Sequence, residues 1–185
     1  MDEYLFVSED YLVQNSVIDG NVDFKNITST IIHCQDIHLQ KVLGTPLFED
    51  LCAKGLGSPS FNSNEIFLIK KYIQKTLLWY ILMELPPEFK FKYMNKGIMV
   101  KSSDNSQPAD TGDIKWMMNR CKIKAEDYGN LLKDYLLCHT TLFPKYLECT
   151  TFGLNSANTV FSTGLALDED YHEQEKPKII IVSSS

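Results

Sequence analysis

Apolar residues recur at helical spacing through most of the first 150 positions, and one stretch is apolar on nearly every side. From Glu65-Ile66-Phe67-Leu68-Ile69 to Leu77-Leu78-Trp79-Tyr80-Ile81-Leu82-Met83, few positions can face water. Such a pattern predicts a helix at the centre of a core, contacted all round. Asn62 or Ser63 suits its cap, with Glu65 near the positive N-terminal end. Pro86 and Pro87 are expected to stop it, because a residue before proline is pushed out of the helical region.

Shorter patterns flank this helix. Ser8 caps a predicted short helix over Glu9 to Val13, and Asp19-Gly20-Asn21 reads as a turn. Phe24, Ile27, Ile31, Cys34, His38 and Val42 mark a second helix from Asp23, ended by Gly44. Thr45-Pro46 restarts a helix through Leu47, Phe48 and Leu51, which ends in Gly55-Leu56-Gly57-Ser58. After a lysine- and aromatic-rich segment, Gly97 to Lys101 reads as turn and strand. A long helix from Asp110 or Thr111 then carries Ile114, Met117, Cys121, Ala125, Tyr128, Leu132, Tyr135 or Leu136, and His139 in one stripe. Trp116, Leu132 and Tyr135 are expected among the buried side chains, each worth roughly 1.5–3 kcal/mol. A brief helix over Phe143 to Leu147 closes the set.

The expectation is a mainly α fold: an antiparallel bundle of about five helices over residues 1–149, with a small β element near 97–101. Residues 150–185 read as an extended C-terminal arm. It holds an aperiodic polar stretch, the acidic run Asp168 to Glu175, and the β-prone string Lys178-Ile179-Ile180-Ile181-Val182. Fully extended, the arm reaches roughly 120 Å. A neighbouring subunit is expected to order it, taking Ile179, Ile180, Ile181 and Val182 as an added edge strand.

Composition changes this picture little: 44% hydrophobic and 23% charged residues are ordinary globular values. No apolar run approaches the roughly 20 residues of a membrane helix, and the N-terminus lacks a signal pattern, so a soluble, unsecreted protein without membrane contact is expected. Cys34, Cys52, Cys121, Cys138 and Cys149 form no Cys-x-x-Cys pair and read as free thiols. Charge matters more. The net charge of −6 gathers at the ends: residues 1–23 hold six acids and no base, while residues 24–149 hold 16 bases and 13 acids. Acidic ends around a mildly basic body suit contacts between neighbouring subunits. With a single arginine, Arg120, tight duplex binding is not expected.

Candidate chemistry is sparse. Cys34 and His38 sit four apart, and Cys138-His139 could add ligands to a structural metal site. Adjacent helix residues diverge by roughly 100°, however, so no metal is expected. No oxyanion site or strained elbow accompanies any Cys–His pair, and Gly55-Leu56-Gly57-Ser58 lacks the lysine of a phosphate loop. No catalytic residue and no cofactor are assigned. Lys90, Lys92, Lys96 and Lys101 alternate with Phe89, Phe91 and Tyr93. That pattern can stack bases and hold phosphates, but it equally describes a segment that buries aromatics and exposes lysines. The candidate subunit or partner interface is therefore Lys90, Lys92, Lys96, Ile98, Met99, Val100 and Lys101, together with Ile179 to Val182.

Three blocks carry a family resemblance. The first is Gln35-Asp36-Ile37-His38-Leu39-Gln40-Lys41-Val42-Leu43-Gly44-Thr45-Pro46-Leu47-Phe48. The second and most specific is Tyr72-Ile73-Gln74-Lys75-Thr76-Leu77-Leu78-Trp79-Tyr80, with Met94-Asn95-Lys96-Gly97-Ile98 and Ser102-Ser103-Asp104-Asn105-Ser106. The third is Ala125-Glu126-Asp127-Tyr128 with Leu142-Phe143-Pro144-Lys145-Tyr146-Leu147. Over roughly residues 5–149 the chain resembles head–tail connector proteins of tailed phages of Bacteroidetes, crAss-like phages included. The resemblance implies a structural virion protein: an adaptor subunit in a homo-oligomeric ring of twelve copies between portal and tail. Such a ring is assembled in the host bacterial cytoplasm and ends at the head–tail junction. Its implied partners are the portal protein, other connector or tail proteins, and double-stranded DNA passing without specific binding. Pro86-Pro87 departs from the family pattern, and the arm lies outside it. The alternative reading is a small helical nucleic-acid-binding regulator.

Overall fold

The structure is a computed structural model that describes residues 3–18, 24–57, 59–94, 97–100, 110–148 and 153–156. It is a mainly helical bundle. The helices are α1 (Glu9–Asn15), α2 (Phe24–Cys34), α3 (Gln40–Leu43), α4 (Thr45–Gly55), α5 (Ser63–Leu68), α6 (Gln74–Lys90) and α7 (Thr111–Cys138). A 3₁₀ turn follows at Pro144–Leu147. Two wide π turns, Gln35–Leu39 and Ile69–Ile73, fuse α2 to α3 and α5 to α6, so the chain forms five continuous helical rods among the described residues. Strands β1 (Phe91–Met94) and β2 (Gly97–Val100) pair antiparallel, with Lys92 opposite Met99 and Tyr93 opposite Ile98.

Local chemistry accounts for the helix ends. The Ser8 hydroxyl accepts from the Tyr11 N–H and starts α1. Asn62 and Glu65 form a reciprocal capping box on α5, with both bonds at 2.9 Å. Gly44 ends α3 and opens α4 at φ 75° and ψ 153°, a backbone region essentially reserved for glycine.

The two π turns shift the helical phase. In each, an N–H reaches back five residues, Gln40 to Gln35 and Gln74 to Ile69. A widened turn advances the buried face by one residue. The regular spacing of the sequence puts His38 in the apolar stripe, but Leu39 is fully buried and His38 only half so. Likewise Leu68 and Ile73, five apart, both lie at 0% exposure.

Rod 63–90 is central but not enclosed all round: Ile66 and Phe67 are exposed, as are Lys70 and Lys71. Nor do the prolines end it. Pro86 and Pro87 lie inside α6, which runs on to Lys90. Proline's fixed φ is itself helical, so the penalty is the missing N–H groups and the crowding of the preceding turn. Leu85 is buried on one side of the pair and Phe89 packs against the core on the other, which holds that turn in place.

Rod 111–138 runs antiparallel to α6. Tyr135 stacks on Tyr72 at 4.5 Å, Gly129 passes Thr76 and Tyr80, and the Lys124 ammonium lies 3.8 Å from the Trp79 ring centroid. Cys121, Ala125, Gly129, Leu132 and Leu136 are its buried stripe. Its first turns bury nothing, and Trp116, expected inside, is 65% exposed. Ordered packing also continues past position 149. Thr45 donates its N–H to the Leu154 carbonyl (2.7 Å), and its hydroxyl accepts from the Leu154 N–H (2.8 Å). Ser156 is buried against Gly44, where an added Cβ would come within 2.7 Å of the Ser156 nitrogen.

Candidate subunit interface

One end of the bundle is closed by the chain itself. Phe6, in the strap before α1, donates its N–H to the Gln35 side chain (2.8 Å) and accepts at its carbonyl from Gln74 (2.9 Å). Gln35 also donates to the Tyr4 carbonyl (3.1 Å). Both glutamines sit at the π turns, so the phase shift that widens each helix also aims its amide at the strap. Beside this, Lys54 lies 2.6 Å from both Asp50 and Glu65, and Lys145 lies 2.6 Å from Asp50. Burial by itself raises the Asp50 carboxyl. The hydrogen bonds from Lys145 and Lys54 outweigh it and hold the group below its ordinary 3.8.

Among the described residues the opposite end is open. Between the end of α1, the second half of α6 and the first half of α7 lies a groove of about 800 Å³. Its walls are mostly hydrocarbon and aromatic: Val17 and Ile18 on one side beside the polar Gln14, Asn15 and Ser16, Leu82, Leu85 and Phe89 below, and Met117 opposite. Arg120 and Lys124 stand at its rim, the Arg120 guanidinium 5.5 Å from the Trp116 ring centroid and Lys124 over Trp79. Among the described residues neither cation has a carboxylate partner. On the far side of α7, Trp116 and Ile123 (52% exposed) lie seven residues apart, two turns of helix, opposite the buried stripe.

The residues singled out from sequence fall near this open end only in part. Lys90 closes α6, Lys92 lies on β1, and Ile98, Met99 and Val100 lie on β2, so the hairpin gathers four of them. Lys96, Lys101, Ile179, Ile180, Ile181 and Val182 lie outside the described residues, as do the Asp19-Gly20-Asn21 turn and the acidic run from Asp168. The groove residues and the Trp116–Ile123 face were not legible as a surface. The available signal was phase: neither Trp116 nor Ile123 shares the spacing of Cys121, Ala125 and Leu132.

The thiol and imidazole candidates have ordinary roles. Cys34 is buried and its thiol is pushed up to about 12 by burial, with Glu84 adding to the shift, so it is protonated at neutral pH. The His38 ring stacks on Tyr80 at 4.2 Å and its Nε2 lies 3.2 Å from Glu84. Burial lowers its pKa despite that carboxylate, so a neutral imidazole donates the bond. His139 turns back to the Tyr135 carbonyl (2.8 Å), while Cys138 is exposed. Among the described residues no three metal-ligating side chains converge, and no helix is long and apolar enough to cross a membrane.

Comparison with known proteins gives one match. Neither the curated proteins nor the solved structures include one similar to this chain. A family model does match residues 39–155, from the first π turn to the clasp on Thr45, well over half of the sequence. The chain belongs to the family of unknown function DUF6712.

Proposed function

We propose that this protein is a structural subunit of a phage head–tail connector, assembling into a ring of twelve between portal and tail. The observation that best supports this reading is the open end of the bundle. Trp116, Ile123 and the groove walls offer apolar surface to a neighbour, while at the other end the strap has its polar groups bonded to Gln35 and Gln74. A contiguous exposed apolar patch is a usual mark of an interaction site. The Cys34 thiol is buried and protonated and the His38 ring is bonded to Glu84 instead, so the Cys34–His38 pair lacks the activation a nucleophile needs. In a ring the contact is heterologous: the open face of each copy meets a different face of the next, and the cycle closes. The extended C-terminal arm and the β1–β2 hairpin are the segments that would reach the neighbour, and DNA would pass without specific binding.

Cryo-electron microscopy of particles carrying the protein tests this. Twelve copies at the head–tail junction are expected, with α7 of each facing a sister. A particle lacking the protein, or a host-cell protein with no virion association, would contradict it. A nucleic-acid-binding regulator has some support from Lys115, Arg120 and Lys122 on α7, although Lys122 is spanned by Glu126 at 3.8 Å. Salt-sensitive, tight binding of duplex DNA by the isolated protein would favour that reading instead.

A further inference from the structure

We propose that the groove between α6 and α7 receives the apolar string Ile179-Ile180-Ile181-Val182 from a sister copy. This rests on the ring reading above and supplies what that reading leaves blank, the acceptor for the arm. Three observations bear on it.

The groove needs an apolar occupant with some acidic character. Leu82, Leu85, Phe89 and Met117 offer hydrocarbon and aromatic surface, Gln14, Asn15 and Ser16 add neutral polar groups, and the charged groups are the cations Arg120 and Lys124. The sequence flanking the groove is a poor filler. Residues 19–23 and 101–109 hold Asp19, Asn21, Asp23, Ser102, Ser103, Asp104 and Asn105, and little that is apolar. Among the residues outside the described structure, 179–182 is the longest uninterrupted apolar run, and β-branched throughout.

Charge then gives the string a direction. Asp168, Glu169, Asp170, Glu173 and Glu175 precede it, with Lys176 and Lys178 between them and the string, so residues 168–178 remain net acidic toward Arg120 and Lys124. Net opposite charge steers the approach of one segment to the other.

Reach extends to a sister copy. The described chain ends at Ser156, seated on Gly44, and residues 157–177 separate it from the string. Those 21 residues span up to roughly 70 Å when extended. Helix α6, along which the chain's own groove lies, is only about 26 Å long. A tether of that length spans to the next subunit, and in the closed ring of the reading above every donor meets an identical acceptor.

Cys121 lies in the groove and makes the test direct. In a background of Cys138→Ser and Cys149→Ser, a donor chain carries Ile180→Cys with Cys121→Ser, and an acceptor chain keeps Cys121. The two are mixed and oxidised with copper–phenanthroline. A 121–180 linkage in the peptide map of a species of twice the chain mass is expected only when both are present, donor chains alone giving at most a 180–180 linkage. Met117→Cys, at an exposed position in the same groove, repeats the acceptor arm should Cys121 be too enclosed to react. A single chain carrying both Ile180→Cys and Cys121 should give a ladder of oligomers. A linked product at single-chain mass would overturn the assignment by showing that the arm folds back on its own groove. Intact rings with neither acceptor cysteine linked would overturn it while leaving the ring reading standing. A small apolar molecule found in the groove by native mass spectrometry, with no linkage, would overturn it as well. Monomers throughout, unlinked, would overturn both.

Discussion

The two ends of the bundle solve opposite problems with the same helices. At the Gln35–Gln74 end the polar groups of the strap are matched to side chains. Phe6 has both its N–H and its carbonyl satisfied, and the Asp50–Lys54–Glu65–Lys145 chain ties α4 to the start of α5 and to the 3₁₀ turn. At the Trp79–Trp116 end the same rods run out past their partners, and α7 buries no residue before Cys121. Buried polar groups are costly when unpaired, so the closed end should be intolerant of change. Exposed apolar groups cost folding little when replaced, so the open end should tolerate change in the isolated subunit. The contrast separates residues that make the fold from residues available to make an assembly.

Gln35→Leu should break the closed end hardest. It orphans the Phe6 N–H and the Tyr4 carbonyl together, at about 1–3 kcal/mol for each buried group left unpaired. Chemical denaturation should show the loss, and Gln74→Leu, which orphans the Phe6 carbonyl, should cost less. Gly44→Ala comes next. Its backbone region alone carries about 1–3 kcal/mol of strain for a side chain, and the new Cβ meets the Ser156 nitrogen at 2.7 Å. Faster amide exchange at Leu154 should report release of the clasp on Thr45, even where global stability falls only modestly.

A smaller effect is expected from pH. Asp50 has a folded pKa below its ordinary value, so its contribution is complete above about 4 and is lost as pH falls through the folded value. Denaturation from pH 6 to pH 2.5 should therefore show Asp50→Asn less stable than the parent at the upper end, with the gap closing below pH 3.8. The smallest change in stability belongs to the open end. Trp116→Ser should alter the unfolding free energy of the isolated subunit by no more than about 0.5 kcal/mol. A larger loss would place Trp116 in the fold after all.

Much of the closed end was legible because it depends on local chemistry. Ser8, Asn62 and Gly44 act at helix ends through their own side chains or backbone freedom, and Cys121, Ala125, Leu132 and Leu136 follow regular helical steps, with Gly129 buried among them in place of the expected Tyr128. The π turns were not legible. One inserted residue changes which face is buried without changing composition, and that is why Leu39 took the place expected for His38. Pro86-Pro87 misled for a related reason: the preference of Leu85 to leave the helix is weaker than the burial of Leu85 and Phe89 on either side. Trp116 misled because bulk was read as burial, whereas its phase on α7 points away from Ala125 and Leu132. The groove involves three elements distant in sequence, and no local pattern encodes it.

The central claim is that the open end of the bundle meets a sister copy. Native mass spectrometry of the full chain, beside Trp116→Glu with Ile123→Glu, tests it most directly. The account predicts a closed oligomer of twelve chains for the parent, and folded monomers with an unchanged circular dichroism spectrum for the double variant. A parent chain that stays monomeric across the concentration range, or a double variant that assembles as well as the parent, would contradict it.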